Sequence, residues 1–264
     1  MTATAPVTAT RGRFVWHELM TPDPAAAQKF YRDVVGWTTS AWTGGVMDYT
    51  MWMAGETAIG GVMTLPAEAA AAGAPPHWLA YIEMPDVDTT IEQAVTLGAK
   101  VLLPARSVNE VGRFAVLADP QGAAFAVITN ATPMPPESDP RPLEFSWHEL
   151  NTTDLPGAIS FYEQLFGWKK QSEFDMGDKG AYHMFGRDRF TYGGMMKKPA
   201  DMTMPSHWLH YISVPDSADA AAERATKRGA TLMLGPMEVP GGDRIAILTD
   251  PQGAMFAVQS KPAK

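Results

Sequence analysis

The chain has 264 residues, 45% of them hydrophobic, no cysteine and a formal charge of −8. That is apolar material for two packed cores of about 130 residues each. The composition excludes disulfides, thiolate metal sites and a cysteine nucleophile, and the acidic balance disfavours nucleic acid or an anionic membrane as partner.

In chain order, the start, MTATAPVTATRGR, is small and polar, with no apolar segment of the kind a secretion signal needs. No run of about 18 apolar residues follows anywhere, so a soluble, cytoplasmic chain is expected. The tails, 1–12 and 260–264, are expected to be loose. The first strand is predicted over Phe14–Met20. A helix follows over Pro24–Val35: Asp23 can cap it, Pro24 suits its first turn, and Ala27, Phe30, Tyr31 and Val34 share one face. Gly36 stands where helices end. Strands are predicted at Tyr49–Met53 and Ala58–Thr64, where Gly60-Gly61 suggests close backbone approach or a bulge. A second unit repeats the order: strand His77–Met84, helix Asp86–Leu97 closed by Gly98, then strands Val101–Leu103, Phe114–Ala118 and Ala123–Ile128.

The chain then says this again. Residues 14–37 match residues 145–168 at 12 of 24 positions without a gap, His77–Asp86 matches His207–Asp216 at 7 of 10, and Asp119–Val127 matches Asp250–Val258 at 8 of 9. The offsets are 131, 130 and 131 residues, so one domain has been duplicated in tandem. Domains are expected at 13–128 and 143–260, joined by a linker, 129–142, with five prolines. Asp154, Gly167, Asp216 and Gly229 take the helix-boundary roles in copy two. Asp119-Pro120-Gln121-Gly122 and Asp250-Pro251-Gln252-Gly253 have type I turn chemistry and should each join two antiparallel strands. Arg113 and Arg244, six residues before the turn aspartates, could hold an anionic substrate group, but are expected to pair with those aspartates.

A strand, Asp23, Phe30-Tyr31 and Gly36, then the Asp86-Val87-Asp88 helix entry and Asp119-Pro120-x-Gly122, all recurring in copy two, resemble the vicinal oxygen chelate superfamily: glyoxalase I, bleomycin-resistance proteins and extradiol dioxygenases. The tandem arrangement looks most like actinobacterial two-domain proteins of that superfamily labelled glyoxalase-like or hydroxylase. The resemblance implies an α+β fold of tandem duplicated domains. In it, each domain has two βαβββ modules forming a cupped mixed sheet with helices outside. It also implies a divalent metal in each cup, held by a His on the first strand, a His on the strand opening the second module and a Glu on the last strand. Carried over by spacing, those places fall on Trp16, Leu79 and Ala126, and on Trp147, Leu209 and Ala257. None has a ligating side chain. Neither a metal nor another cofactor is therefore expected there.

Strand alternation sorts what remains. Trp16 and Glu18 share a face, as do His77, Leu79 and Tyr81; copy two offers Trp147, Glu149, His207 and Tyr211. An aromatic wall with a few convergent polar groups suits a small molecule. Glu18 and Glu149 are candidate bases, because a carboxylate in an aromatic cavity is expected to have a raised pKa. His77 and His207 are candidate partners for them, or caps of a turn. Trp16, Tyr81, Trp147 and Tyr211 are candidate ligand-binding residues. His17 and His148 of the two WHEL motifs fall on the opposite face and read as structural. Two functions lead: a metal-independent lyase, isomerase or cofactorless oxygenase acting on a small apolar or aromatic oxygenated metabolite, or a protein that binds such a molecule without chemistry; a scaffold kept for assembly, with no working pocket, ranks below them. The partner is a small-molecule ligand, with no nucleic acid and no membrane, and the chain is expected as monomer or homodimer.

Overall fold

A computed structural model of the protein describes residues 11–44 and 49–262. Most of the tails expected to be loose lies outside the described residues, but Arg11 and Gly12 are tied down. Arg11 donates to the carbonyls of Gln164 and Leu165, and Gly12 N donates to Glu83 O at 2.8 Å.

The first copy runs β1 (Arg13–Thr21), α1 (Pro24–Val35), β2 (Thr38–Trp42), β3 (Tyr49–Ala54), β4 (Thr57–Thr64), α2 (Ala67–Ala71), β5 (His77–Glu83), α3 (Val87–Thr96), β6 (Lys100–Val108), β7 (Gly112–Ala118) and β8 (Ala124–Asn130). The second copy follows as β9 (Phe145–Thr152), α4 (Leu155–Phe166), β10 (Lys169–Asp175), β11 (Ala181–Arg187), β12 (Phe190–Lys197), β13 (His207–Ser213), α5 (Ala218–Lys227), β14 (Thr231–Glu238), β15 (Arg244–Thr249) and β16 (Met255–Ser260). Each copy builds an eight-stranded mixed sheet, in the orders β2-β3-β4-β1-β5-β8-β7-β6 and β10-β11-β12-β9-β13-β16-β15-β14. The expected α+β fold with two βαβββ modules per copy is what forms. β2 and α2 are additions to the sequence reading.

Helix boundaries follow the local chemistry. Asp23 accepts from Ala26 N at 3.0 Å and Gly36 closes α1 at φ 96°. Asp154 accepts from Gly157 N at 3.1 Å and Gly167 closes α4 at φ 74°. One cap differs from the reading: Ser217, not Asp216, caps α5 by accepting from Ala220 N, and Asp216 pairs with Arg224 instead. A serine hydroxyl one residue later satisfies the same orphan amides.

By proximity along the fold the chain divides into two compact units. One comprises Met1–Val15, Ala80–Ser138 and Leu150–Trp208; the other comprises Trp16–Leu79, Asp139–Glu149 and Leu209–Lys264. Each unit therefore takes one module from each copy. The core of the first unit gathers Ile82, Leu117 and Phe125 with Phe161, Tyr162, Trp168 and Trp208. The second gathers Phe30, Tyr31, Trp37 and Trp52 with Ile212, Ala221 and Phe256.

This division explains why the Phe-Tyr and Asp-Pro-Gln-Gly motifs recur. Asp119 Oδ1 accepts from Gln121 N and Ala123 N at 2.9 and 2.8 Å, which closes the turn between β7 and β8. Its other oxygen accepts from the Tyr162 hydroxyl at 2.9 Å, and that hydroxyl accepts from Trp208 Nε1 at 3.1 Å. Tyr31, Asp250 and Trp78 repeat the chain in the second unit, at 3.2 and 3.0 Å. Each tyrosine thus locks a turn from the opposite copy. Tyr162→Phe is expected to destabilise the fold by about 1–3 kcal/mol, because it leaves a buried carboxylate oxygen and an indole N–H without a partner. Urea unfolding of the variant checks this.

Arg113 and Arg244 do pair with aspartates, but not with the turn aspartates. Arg113 grips Asp88 at 2.7 and 2.8 Å and Arg244 grips Asp219 at 2.7 and 2.8 Å. The turn aspartates are already saturated by backbone amides and tyrosine, and the first-turn aspartates of α3 and α5 are within reach.

Candidate functional site

On β1, Trp16 and Glu18 are on one face and His17 on the other, as alternation requires. The β1–β4 register sets Glu18 opposite Gly61 and His17 opposite Gly60. Tyr49, at the start of β3, covers Gly61: a Cβ there would overlap the tyrosine hydroxyl. Glycine at 61 is what lets the phenol lie flat on the strand beside Glu18. Trp16 Nε1 donates to the Tyr49 hydroxyl at 2.8 Å, and that hydroxyl hydrogen-bonds the Glu18 carboxylate. Burial, and then the neighbouring Glu18 carboxylate, hold the Tyr49 hydroxyl far above its ordinary pKa, so it remains a proton donor. Glu18 is buried, at 6% exposure.

Copy two arrives at the same pair by another route. The Tyr211 hydroxyl, from β13, donates to Glu149 Oε2 at 3.1 Å, and Glu149 is 9% exposed. Tyr211 stands opposite Ala257 in the parallel β13–β16 register. Leu209, Tyr211, Ile245 and Ala257 form one apolar cluster, with half-buried Trp147 packed against it. The three positions to which the resemblance assigns ligands in copy two, Trp147, Leu209 and Ala257, therefore do share one cluster. They offer it an indole, an isobutyl and a methyl group, which do not fit a divalent ion. In copy one Leu79 and Ala126 are buried, and Tyr81 packs edge-on to Phe114 at 5.7 Å.

His77 and His207 hold the entrances of β5 and β13. Their Nδ1 atoms lie 2.7 and 2.9 Å from the carbonyl oxygens of Pro75 and Pro205, two residues upstream. These bonds cap the turns that lead into β5 and β13. Burial, opposed by that carbonyl, holds the His77 pKa below its ordinary value. Two shallow surface depressions, one beside Asp154 and Lys197, the other beside Arg11 and Glu92, lie away from the glutamates.

Sequence reasoning missed two features. Tyr49 was read only as part of a strand, although Gly60-Gly61 signalled that something approaches there. The second is His210, which stands where copy one has Ala80. It meets His17 and His148 in the interior of the second unit, where the rings are 1%, 5% and 5% exposed respectively. Burial, then the neighbouring histidines, holds the His17 and His148 pKa values well below the ordinary 6.5.

Residues 13–127 and 144–258 match a family model described as the Glyoxalase/Bleomycin resistance protein/Dioxygenase superfamily. Among curated proteins, "Putative glyoxylase CFP32" of Mycobacterium tuberculosis is 32% identical over 260 residues, covering 94% of each chain. "Anthracycline biosynthesis protein DnrV" of Streptomyces peucetius is 30% identical over 259 residues, covering 94% of this chain and 92% of its own. Among solved structures, the Mn(II)-bound glyoxalase from Novosphingobium aromaticivorans superposes with a TM-score of 0.65 at 16% identity, covering 97% of this chain and 83% of that one. The 2,3-dioxygenase LapB from Pseudomonas sp. KL28 gives 0.63 at 12%, covering 97% and 94%. At these identities the superpositions speak for the fold alone. Among the described residues, no helix is long and apolar enough to cross a membrane.

Proposed function

The chain belongs to the glyoxalase/bleomycin resistance protein/dioxygenase superfamily, and from that premise we propose that its cups act on a small aromatic, oxygenated metabolite by proton transfer, without a metal in the cup. One observation carries this reading: each copy sets a tyrosine hydroxyl on a buried glutamate beside an indole, Tyr49 on Glu18 beside Trp16 and Tyr211 on Glu149 beside Trp147.

The arrangement supplies what removal of an acidic C–H proton needs. A ligand ring stacks on the indole. The carboxylate takes the proton from an sp3 carbon conjugated with a carbonyl, and the C–H electron pair moves onto that carbonyl oxygen as an enolate or phenolate. The tyrosine hydroxyl turns from the carboxylate to that oxygen and stabilises the developing charge. Isomerisation, elimination and cofactorless oxygenation all begin with this step. A relative named for anthracycline biosynthesis supports a polycyclic aromatic ligand. The residues at the ligand positions support a metal-free cup.

Titration of chelator-treated protein with planar hydroxylated anthraquinones, read by tryptophan fluorescence, tests the binding half. Saturable quenching that falls in Trp16→Phe and Trp147→Phe is expected. The absence of saturable quenching across such a panel would remove the aromatic ligand from the account.

A further inference from the structure

We propose that His17, His148 and His210 form a divalent transition-metal site, zinc by preference, separate from both cups and built into the core of the second unit. One ring nitrogen from each of the three histidines can be chosen so that all lie within 4.8 Å of one another. The Nδ1 atoms of His148 and His210 share a hydrogen bond at 3.1 Å, close to the spacing of two donors on one tetrahedral ion, which would take the place of the shared proton.

The ring positions say more. A zinc–nitrogen bond of about 2.0–2.1 Å puts an imidazole centroid about 3.2 Å from the ion, and three such rings at tetrahedral angles have centroids about 5.2 Å apart. Here the three centroid separations are 5.0 Å for His17–His148, 5.1 Å for His17–His210 and 5.3 Å for His148–His210. The triangle has the size that three imidazoles on one ion require, with the His17 and His148 planes 13° apart and the His210 ring edge-on to both, at 72° and 68°. Imidazoles without thiolates suit zinc, copper, nickel or iron, and zinc accepts tetrahedral geometry without strain. Phe145 stacks on His17 at 3.8 Å and 18°, which fixes that ring's plane.

The site is not a cup site displaced by one residue. His17 and His148 alternate with Trp16, Glu18, Trp147 and Glu149 and face away from them. The ion would join β1 of one sheet to β9 and β13 of the other, inside the second unit, and so act as a structural clamp. Duplication supplied two of the ligands, and the third is where the copies differ: copy one carries Ala80 at the position of His210.

The test is metal content of the full chain, expressed or refolded in zinc and then desalted. About one zinc per chain is expected, and less than about a tenth in His210→Ala. Alanine is already what the equivalent position of copy one carries, so that variant is expected to fold, and circular dichroism checks it. A Glu18→Gln/Glu149→Gln double variant should keep its zinc, which separates this site from the cups. Cobalt in place of zinc should give the visible absorption of a tetrahedral ion in wild type and not in His210→Ala. Zinc should also raise the melting temperature of wild type by several degrees and leave that of His210→Ala unmoved. A wild-type chain that takes up no zinc on refolding, or a His210→Ala chain that retains it, would overturn the proposal.

Discussion

Metal-free protein is expected to lose stability steeply as the pH falls below about 6.5. His17 and His148 are buried with neutral rings, and their folded pKa values lie well below the ordinary 6.5. On unfolding they regain that ordinary value, so below it the unfolded chain binds protons that the folded chain does not. Their contribution is fully present above pH 6.5 and is lost as the pH falls toward the folded values. Well below pH 6.5 each adds a limiting slope of about 1.4 kcal/mol per pH unit, about 2.7 for the pair, and half that at pH 6.5, against a total stability of about 5–15 kcal/mol. Asp119 and Asp250 act in the opposite sense. Burial raises their folded pKa above 3.8, so the folded state gains from them as the pH falls. His148→Gln separates the two effects, because glutamine is neutral throughout: between pH 7.5 and 5.5 the variant should lose about 1.4 kcal/mol less than wild type in total. Urea midpoints at pH 7.5, 6.5 and 5.5, with chelator present, measure it. Identical slopes in the two proteins would mean that the ring does not stay neutral in the fold.

Exchange of the cup carboxylates for amides is expected to abolish turnover while leaving binding intact. Glu18→Gln and Glu149→Gln keep the shape of the side chain and a carbonyl oxygen for the tyrosine hydroxyl, but remove the group that accepts a proton. The positioned-base contribution lost is about 10²–10⁴-fold in rate. Quenching of tryptophan by the ligand should change little, since stacking on Trp16 or Trp147 does not depend on the carboxylate. Single variants show whether both cups work: if they act independently, each halves the rate per chain, and only the double variant is inactive. Unchanged turnover in the double variant would take the carboxylates out of the mechanism. Saturable binding without turnover of any ligand would favour a protein that holds its ligand without chemistry.

The fold was legible because the chain repeats itself and its helices carry their own boundaries: Asp23 and Gly36, Asp154 and Gly167. What escaped had no pattern to read. β2, with sequence TTSAW, is almost wholly exposed, and α2 is a five-residue alanine-rich turn with no buried side chain. Neither carries hydrophobic periodicity. The compact units were also hidden, because a repeat shows which segments are alike and not which of them pack together. In the site, Trp16, Glu18, Trp147 and Glu149 were placed by alternation alone, since a strand's period is fixed by its backbone. Tyr49 lies 31 residues from Glu18 along the chain, and only the glycine beneath it hinted at its place. His210 was concealed by the internal alignment itself, where it counted as a mismatch with Ala80. The partners of Arg113 and Arg244 were misassigned because sequence distance stood in for reach across a sheet.

Exchange of an acidic carbon-bound hydrogen with solvent deuterium, followed by NMR on an anthrone-type ligand, whose methylene is conjugated with its carbonyl, in chelator-treated protein, reads the proposed proton transfer without knowledge of the final product. Wild-type protein should exchange that hydrogen much faster than buffer, with no added metal, and the Glu18→Gln/Glu149→Gln double variant should not. Exchange that persists in the double variant, or that begins only when a divalent ion is restored to a cup, would contradict proton abstraction by these two carboxylates.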